Sequence, residues 1–255
     1  MSPKALSLPR LNPPFVTHTP TADRNEIEEK LINSCKILRK EVKSMHNPYP
    51  IGHFSARIPG TNQIIVKPRD IAWDRVEAKD LVTFDTDYHR LSGPELEIIE
   101  IPIHIEVYKA RPDVMAVVHT HQTYATLMGT LGLRLEILDA NCLGFTAGVP
   151  TYDETDDPSY FTEKIGTLIR ERRQGEIMAR KMGGASAIIL KAHGAVIAGR
   201  SAEEACILTI ALENAARSQL IAASVRGQGK PIEEMGMVAR PPSAAFWRTL
   251  IDSYD

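Results

Sequence analysis

A chain of 255 residues with a formal net charge of −2 and no basic block is not built as a nucleic-acid binder relying on a broad positive surface. Its three cysteines, Cys35, Cys142 and Cys206, are too few and too scattered for a disulfide framework or a C-x-x-C metal site. Buried reduced thiols, suited to the cytoplasm, are expected instead. No apolar run approaches the ~18 residues a spanning helix needs, and no apolar h-region marks a secretion signal, so neither membrane nor export is expected.

Residues 1–23 carry Pro3, Pro9, Pro13, Pro14 and Pro20, which suits an extended arm. Asp23 can cap a helix over 24–44, where Ile27, Leu31, Cys35, Leu38 and Val42 recur at steps of three and four. Asn47-Pro48 ends it. The run I-G-H-F-S-A-R-I-P-G reads as a strand or tight loop, residues 63–67 as a strand, and Pro68-Arg69-Asp70 as a turn. A further strand is predicted over 80–85 and a polar turn over 87–94, with Gly93-Pro94. Helical spacing returns over 96–110, where Pro102 is tolerable only if the helix starts near Ile101 or kinks there.

The apolar, β-branched run 115–118 predicts a buried strand, followed by a short helix over 122–129 and a short strand over 135–138. The stretch 142–152 is apolar and glycine-containing, and 153–158 is an acidic loop. A long amphipathic helix is expected over 161–182, with Arg170 to Arg173 as solvated surface. Strands over 187–191 and 195–198 flank Ala192-His193-Gly194. Ser201-x-x-Glu204 reads as a capping box opening a helix to about Val225, stopped by Gly227 and Gly229. The tail, 241–255, holds Pro241-Pro242 and a short helix with Trp247. The expected domain is thus 24–240. Interleaved strands and helices give an α/β or α+β class, too irregular for a (β/α)₈ barrel.

Chemistry concentrates in V-V-H-T-H-Q-T-Y, 117–124. Side chains at i and i+2 of a strand share a face, so His119 and His121 project together. They either share a metal ion or bond nearby carbonyls. His193, at a strand end beside a glycine, would complete a three-histidine set, which is the ligand set of a catalytic metal; alone it would read as a solvent-facing turn residue. Glu95, Glu97 and Glu100 cluster at the start of the helix leading into this strand. Any of them is either an acid/base group or a surface residue complementing the helix dipole.

The segment E-I-P-I-H-I-E-V-Y-K-A-R-P-D-V-M-A-V-V-H-T-H-Q-T-Y-A-T, with the later L-K-A-H-G-A-V-I-A-G, resembles the class II aldolase/adducin family over about 27–223. The resemblance implies a single three-layer α/β/α domain with a mainly antiparallel central sheet. It implies a homo-oligomer, typically a tetramer with active sites at subunit interfaces, and one divalent metal ion per subunit. His119, His121 and His193 match the metal triad, and Glu100 the acid/base glutamate, which in some members also ligates the metal.

The family's sugar-phosphate aldolases hold phosphate with small residues. Here Gly52-His53-Phe54-Ser55, Pro68-Arg69-Asp70 and Ile98-Ile99 stand at those places, which disfavours a phosphorylated substrate. G-H-x-S-x-R followed by an arginine in the next turn, together with L-E-N-A-A-R-S-Q-L, resembles the family's aromatic-acid decarboxylase branch. One departure is Ile101-Pro102, where those decarboxylases often carry an arginine; E-x-P-x-H is seen among aldolase-like and epimerase-like members. The resemblance implies a metal-dependent decarboxylase of a hydroxylated aromatic or related non-phosphorylated carboxylic acid, using Zn²⁺ or Mn²⁺. In that reading Arg69 pairs with a carboxylate and His53 hydrogen-bonds the substrate or donates a proton. Ile98, Ile99 and Phe54 wall an aromatic ring, and Tyr124 and Tyr152 are further substrate contacts or core residues. His104 reads as a core or supporting residue. Three alternatives stand: aldol cleavage of a hydroxy-keto acid, Fe²⁺-dependent oxidative decarboxylation as in the aminocoumarin oxygenases, and an adducin-like interaction module without catalysis.

Overall fold

The computed structural model describes residues 23–43, 51–158 and 168–224. The strands are β1 (Gly52–Arg57), β2 (Gln63–Lys67), β3 (Val82–Asp85), β4 (Arg90–Ser92), β5 (Ala116–Thr120), β6 (Thr151–Tyr152), β7 (Ala187–Leu190) and β8 (Gly194–Gly199). They form one sheet in the order β4-β3-β2-β1-β5-β8-β7-β6. Every neighbouring pair is antiparallel except β6 and β7. The helices are α1 (Arg24–Glu41), α2 (Ile101–Ala110), α3 (Thr123–Thr130), α4 (Arg172–Met182) and α5 (Ala202–Ser224).

Alternation along the strands divides the core in two. Phe54, Ala56, Ala116, Val118 and Ile197 face one way and pack with Leu31, Leu38, Leu208 and Leu212 of α1 and α5. Ile64, Val117, Ile188 and Val196 face the other way and pack with Ile103, Val107, Met178 and Met182 of α2 and α4. The result is the expected three-layer α/β/α sandwich. His53, Ser55 and His119 lie on the α2/α4 face, because they alternate with residues of the first cluster.

Asp23 caps α1, accepting from the Asn25 N–H at 3.3 Å. Pro102 lies in the first turn of α2, where no intrahelical N–H bond is lost, and Glu100 becomes the residue that opens the helix. Elsewhere the local reading needs correction. The strand expected to end at Val118 continues to Thr120 and includes His119. The polar turn after β3 contains the short edge strand β4. The short strand expected over 135–138 does not form. Instead the Glu136 N–H donates to Gln219 Oε1 at 2.9 Å and the Arg134 carbonyl accepts from Gln219 Nε2 at 2.8 Å, so a side chain of α5 satisfies this backbone. The helix expected from 161 starts only at Arg172, with 161–167 outside the described residues. The Ser201 hydroxyl does accept from the Glu204 N–H at 3.1 Å, but the Glu204 carboxylate bonds Arg200 rather than closing the box on Ser201. The proline-rich arm and the C-terminal tail lie outside the described residues.

Lys67 is fully buried at the end of β2, with its Nζ 3.3 Å from the Gly52 carbonyl and 4.5 Å from the centre of the Trp73 ring. Burial pulls its pKa from 10.5 down to about 8, against the smaller opposing pull of Cys35 and Asp70. Below about 8 both folded and unfolded chains carry the proton, and the cost of burying the charge is present in full. Between about 8 and 10.5 only the unfolded chain keeps it, so stability rises with pH across that window. Denaturant titrations from pH 7.5 to 10.5 should show Lys67→Met more stable than the parent at the low end, by about 3 kcal/mol at most. That difference should close as pH rises; a pH-independent difference would refute the assignment.

Candidate metal centre

His119 stands near the end of β5, and His121 follows it just past the strand on the same face. His193 lies in the β7–β8 turn, and Glu100 opens α2. One ligand atom from each of the four falls within 4.8 Å of all the others. His119 Nε2 is 3.2 Å from His121 Nε2 and 3.4 Å from Glu100 Oε2, while His193 Nε2 is 3.6 Å from Glu100 Oε1. Four ligands about 2.1 Å from a central ion would stand roughly 3.4 Å apart in a tetrahedron. The observed separations are of that size.

Proton bookkeeping agrees with ligation. His119 Nδ1 lies 3.1 Å from the Ala195 carbonyl, which can only accept, so Nδ1 carries a proton and Nε2 is the nitrogen that faces the cluster. The two sequence readings of His119, carbonyl-bonded or metal-facing, are therefore both true, one for each ring nitrogen. Burial, then His119 and His193, pull the His121 pKa down to about 3, so its imidazole is neutral, as a ligand must be. Burial pushes the Glu100 carboxyl up, but the His119 ring, through charge and a hydrogen bond, and then His193 outweigh it and hold the group well below the usual carboxylate range. An ionised carboxylate and three converging imidazole nitrogens, all largely shielded from water, are a donor set that fits a divalent cation.

The turn carrying His193 reaches β5 because residue 194 is glycine. A Cβ there would lie 2.4 Å from the Thr120 carbonyl oxygen and 3.2 Å from the His121 ring. Ala192, just before His193, holds a left-handed φ of 54°, a further constraint on this turn. Gly194→Ala is expected to cost about 1–3 kcal/mol in a thermal or denaturant melt, through overpacking against backbone. It should also weaken zinc binding at least tenfold, because the turn must retreat from His121. Unchanged zinc affinity in a calorimetric titration would show that Gly194 does not set the turn.

His53 pairs with His119 across β1 and β5, and the two rings stack with centroids 5.9 Å apart. Arg69, in the turn after β2, is 39% exposed, lies 3.4 Å from Asp70, and contributes positive charge that disfavours His121 protonation. Ile98 is buried in the second core cluster, and Ile99 beside it is half-buried. Phe54 is a core residue of the opposite face. Tyr124 also packs on that face, beneath the guanidinium of Arg217 at 5.9 Å. Tyr152 is buried near the sheet edge, its hydroxyl without a partner among the described residues and its pKa pushed up to about 12 by burial.

Two supporting groups were not singled out in the sequence. The Ile169 N–H donates to Glu100 Oε1 at 3.0 Å, and the Ala195 carbonyl fixes His119. Both are main-chain groups, which residue types do not reveal. One side-chain signal lies beside the first of them: Glu171-x-x-Gln174 is a capping pair. Gln174 Oε1 accepts from the Arg170 and Glu171 N–H groups at 2.9 Å, setting the start of α4 and the path of the chain before it.

The Class II Aldolase and Adducin N-terminal domain family matches residues 33–220. A 3,4-dihydroxyphthalate decarboxylase of Arthrobacter keyseri is 30% identical over 213 residues, covering 78% of this chain and 81% of the relative. A probable L-ribulose-5-phosphate 4-epimerase of Mycoplasma pneumoniae is 24% identical over 77% of this chain and 81% of its own. The L-fuculose 1-phosphate aldolase structure from Glaciozyma antarctica superposes with a TM-score of 0.73 at 23% identity, covering 94% of this chain and 93% of that one.

Proposed function

Since this chain belongs to the class II aldolase and adducin N-terminal domain family, whose members act on small molecules with a divalent metal, we propose that it is a metal-dependent decarboxylase. Its substrate is a hydroxylated aromatic or related non-phosphorylated carboxylic acid. The observation that carries the reading is an ionised Glu100 facing three imidazoles, with His53 stacked beside them and Arg69 at the rim. His119, His121, His193 and Glu100 would hold a divalent ion, Zn²⁺ or Mn²⁺. When bound, such an ion supplies Lewis acidity for the electron pair released as the carbon–carbon bond breaks.

The chain's own residues do the rest. Glu100, already ionised, accepts the proton of the substrate hydroxyl and returns it to the ring carbon that loses CO₂. Electrons and protons balance: the bonding pair stays on the ring, the carbon gains one proton, and water later reprotonates the hydroxyl. His53, neutral because burial, His104 and His119 all oppose its protonation, hydrogen-bonds the substrate. Ile99, backed by Ile98, offers an apolar wall in place of a phosphate cradle. Arg69 pairs with a substrate carboxylate through two parallel N–H bonds. Losing such a pair costs about 1.5–3 kcal/mol, so Arg69→Ala should raise KM roughly ten- to a hundredfold and leave kcat nearly unchanged in steady-state assays.

The test is CO₂ release from a panel of hydroxylated aromatic acids by protein loaded with Zn²⁺ or Mn²⁺, without dioxygen. Release is the expected result. Release only with Fe²⁺ and dioxygen would make the protein an oxygenase. No CO₂, with aldol cleavage of a hydroxy-keto acid instead, would replace decarboxylation with the aldolase reading.

A further inference from the structure

On the α2/α4 face of the sheet, beside the candidate ligands, lies a row of polar side chains that the reaction above barely uses. His53 and Ser55 come from β1, and His104 and Tyr108, one helical turn apart, come from α2. All four are buried, none more than 1% exposed. Ser55 Oγ stands between the two α2 residues, 2.7 Å from His104 Nδ1 and 2.8 Å from the Tyr108 hydroxyl. The Val117 carbonyl is more distant, at 3.5 Å.

Counting protons gives this row a direction. Burial pushes the Tyr108 pKa up, so its hydroxyl keeps its proton and must donate it. The acceptor beside it is Ser55 Oγ. The serine has one proton of its own, and His104 Nδ1 is the nearer acceptor. The reverse direction, from His104 to Ser55 to Tyr108, would leave a buried phenol proton without an acceptor among these groups. A neutral imidazole that accepts at Nδ1 carries its proton on Nε2. The His104 ring stands edge-on to the His53 ring, at 81° with centroids 5.7 Å apart. His104 Nε2 and both ring nitrogens of His53 have no partner among the described residues.

We infer that Tyr108 and Ser55 lock His104 as the Nε2–H tautomer, and that the ring so fixed, packed edge-on against His53, holds His53 in place, making His104 a positioning residue. The tautomer stands on the geometry alone. The consequence for turnover rests on the decarboxylase reading, in which His53 meets the substrate.

The test therefore has two readouts on the full chain loaded with Zn²⁺. Long-range ¹⁵N–¹H correlation spectra of ¹⁵N-histidine-labelled protein, with His104 assigned by its loss in His104→Gln, report the tautomer directly. The expected spectrum is Nε2–H in the parent and a mixture in Tyr108→Phe, which keeps the ring and removes only the donor that fixes the serine's direction. A parent spectrum of Nδ1–H, or an unchanged spectrum in Tyr108→Phe, overturns the lock. The second readout is kinetic: Ser55→Ala and Tyr108→Phe should each lower kcat roughly ten- to a hundredfold, with KM and bound zinc per chain within twofold of the parent. An unchanged kcat in Tyr108→Phe overturns the positioning role. An inactive parent would mark failure of the decarboxylase reading instead, with the tautomer still decided by the spectra.

Discussion

Glu100→Gln should stop CO₂ release almost completely, by about 10²–10⁴-fold, while the protein still binds zinc. The side chain keeps its size and one carbonyl oxygen, so it can still accept from the Ile169 N–H that holds Glu100 Oε1 at 3.0 Å. What it loses is the charge and the ability to carry a proton between the substrate hydroxyl and carbon. The three imidazoles remain, so zinc at saturating concentration should fill the site to the same content per chain. The comparison is single-turnover CO₂ release against measured zinc in the same samples. A rate within tenfold of the parent at equal zinc would reduce Glu100 to a ligand or a helix-opening residue.

The second large effect is on the metal itself. His119 is fully buried, bonded to the Ala195 carbonyl through Nδ1, and aimed at both His121 and Glu100 through Nε2. Zinc at a hundred times its dissociation constant stabilises a folded protein by about 2.7 kcal/mol. For a chain of this size that is a rise in Tm of roughly 5–10 °C. His119→Ala should abolish the rise, because it removes the ligand at the centre of the cluster. A scanning melt of parent and variant, each with and without zinc, gives the answer. The same increment in the variant would move the metal to other residues. A similar loss in His121→Ala and His193→Ala would establish that the three act as one set.

The elements legible in the sequence are those in which one periodicity dominates. The strand 63–67 is found at its predicted limits, and α1 follows the apolar stripe beginning at Ile27. Pro102 marks the start of α2 because the residue itself restricts the backbone. The site's side chains were legible too, since H-x-H on a strand and a distant H-G can be counted from residue types, and the structure brings them together with Glu100.

What was not legible depended on partners far along the chain. The run Leu135 to Leu138 has a strand-like composition, but Gln219 supplies its backbone bonds, and Ile137 turns instead into a small cluster with Cys142 and Ala215. The charged pattern before Arg172 looks helical, yet the Ile169 N–H that a longer helix would use internally is given to Glu100. Lys67, the last residue of the strand predicted over 63–67, is found buried under Trp73, a burial its residue type gives no sign of. In each case a tertiary contact decides between local options that the sequence leaves nearly equal.

The order of the strands also dictates an order of assembly. β1 to β4 form a meander from one stretch of chain, and β7 and β8 form a hairpin, so both can fold from near neighbours. β5 joins them, and its partners are remote: Ser55 and Val117 are 62 residues apart, and His119 and Ala195 are 76. Closing loops of that length before any contact rewards them makes such pairings slow. The metal ligands come from β5, the β7–β8 turn and the start of α2, so they converge only after β5 has docked. Zinc should therefore leave the refolding rate of the chain unchanged and slow its unfolding, since it binds a centre that the folding transition state has not yet built. Stopped-flow refolding with and without zinc would separate this from metal-nucleated folding, in which the refolding limb itself would accelerate.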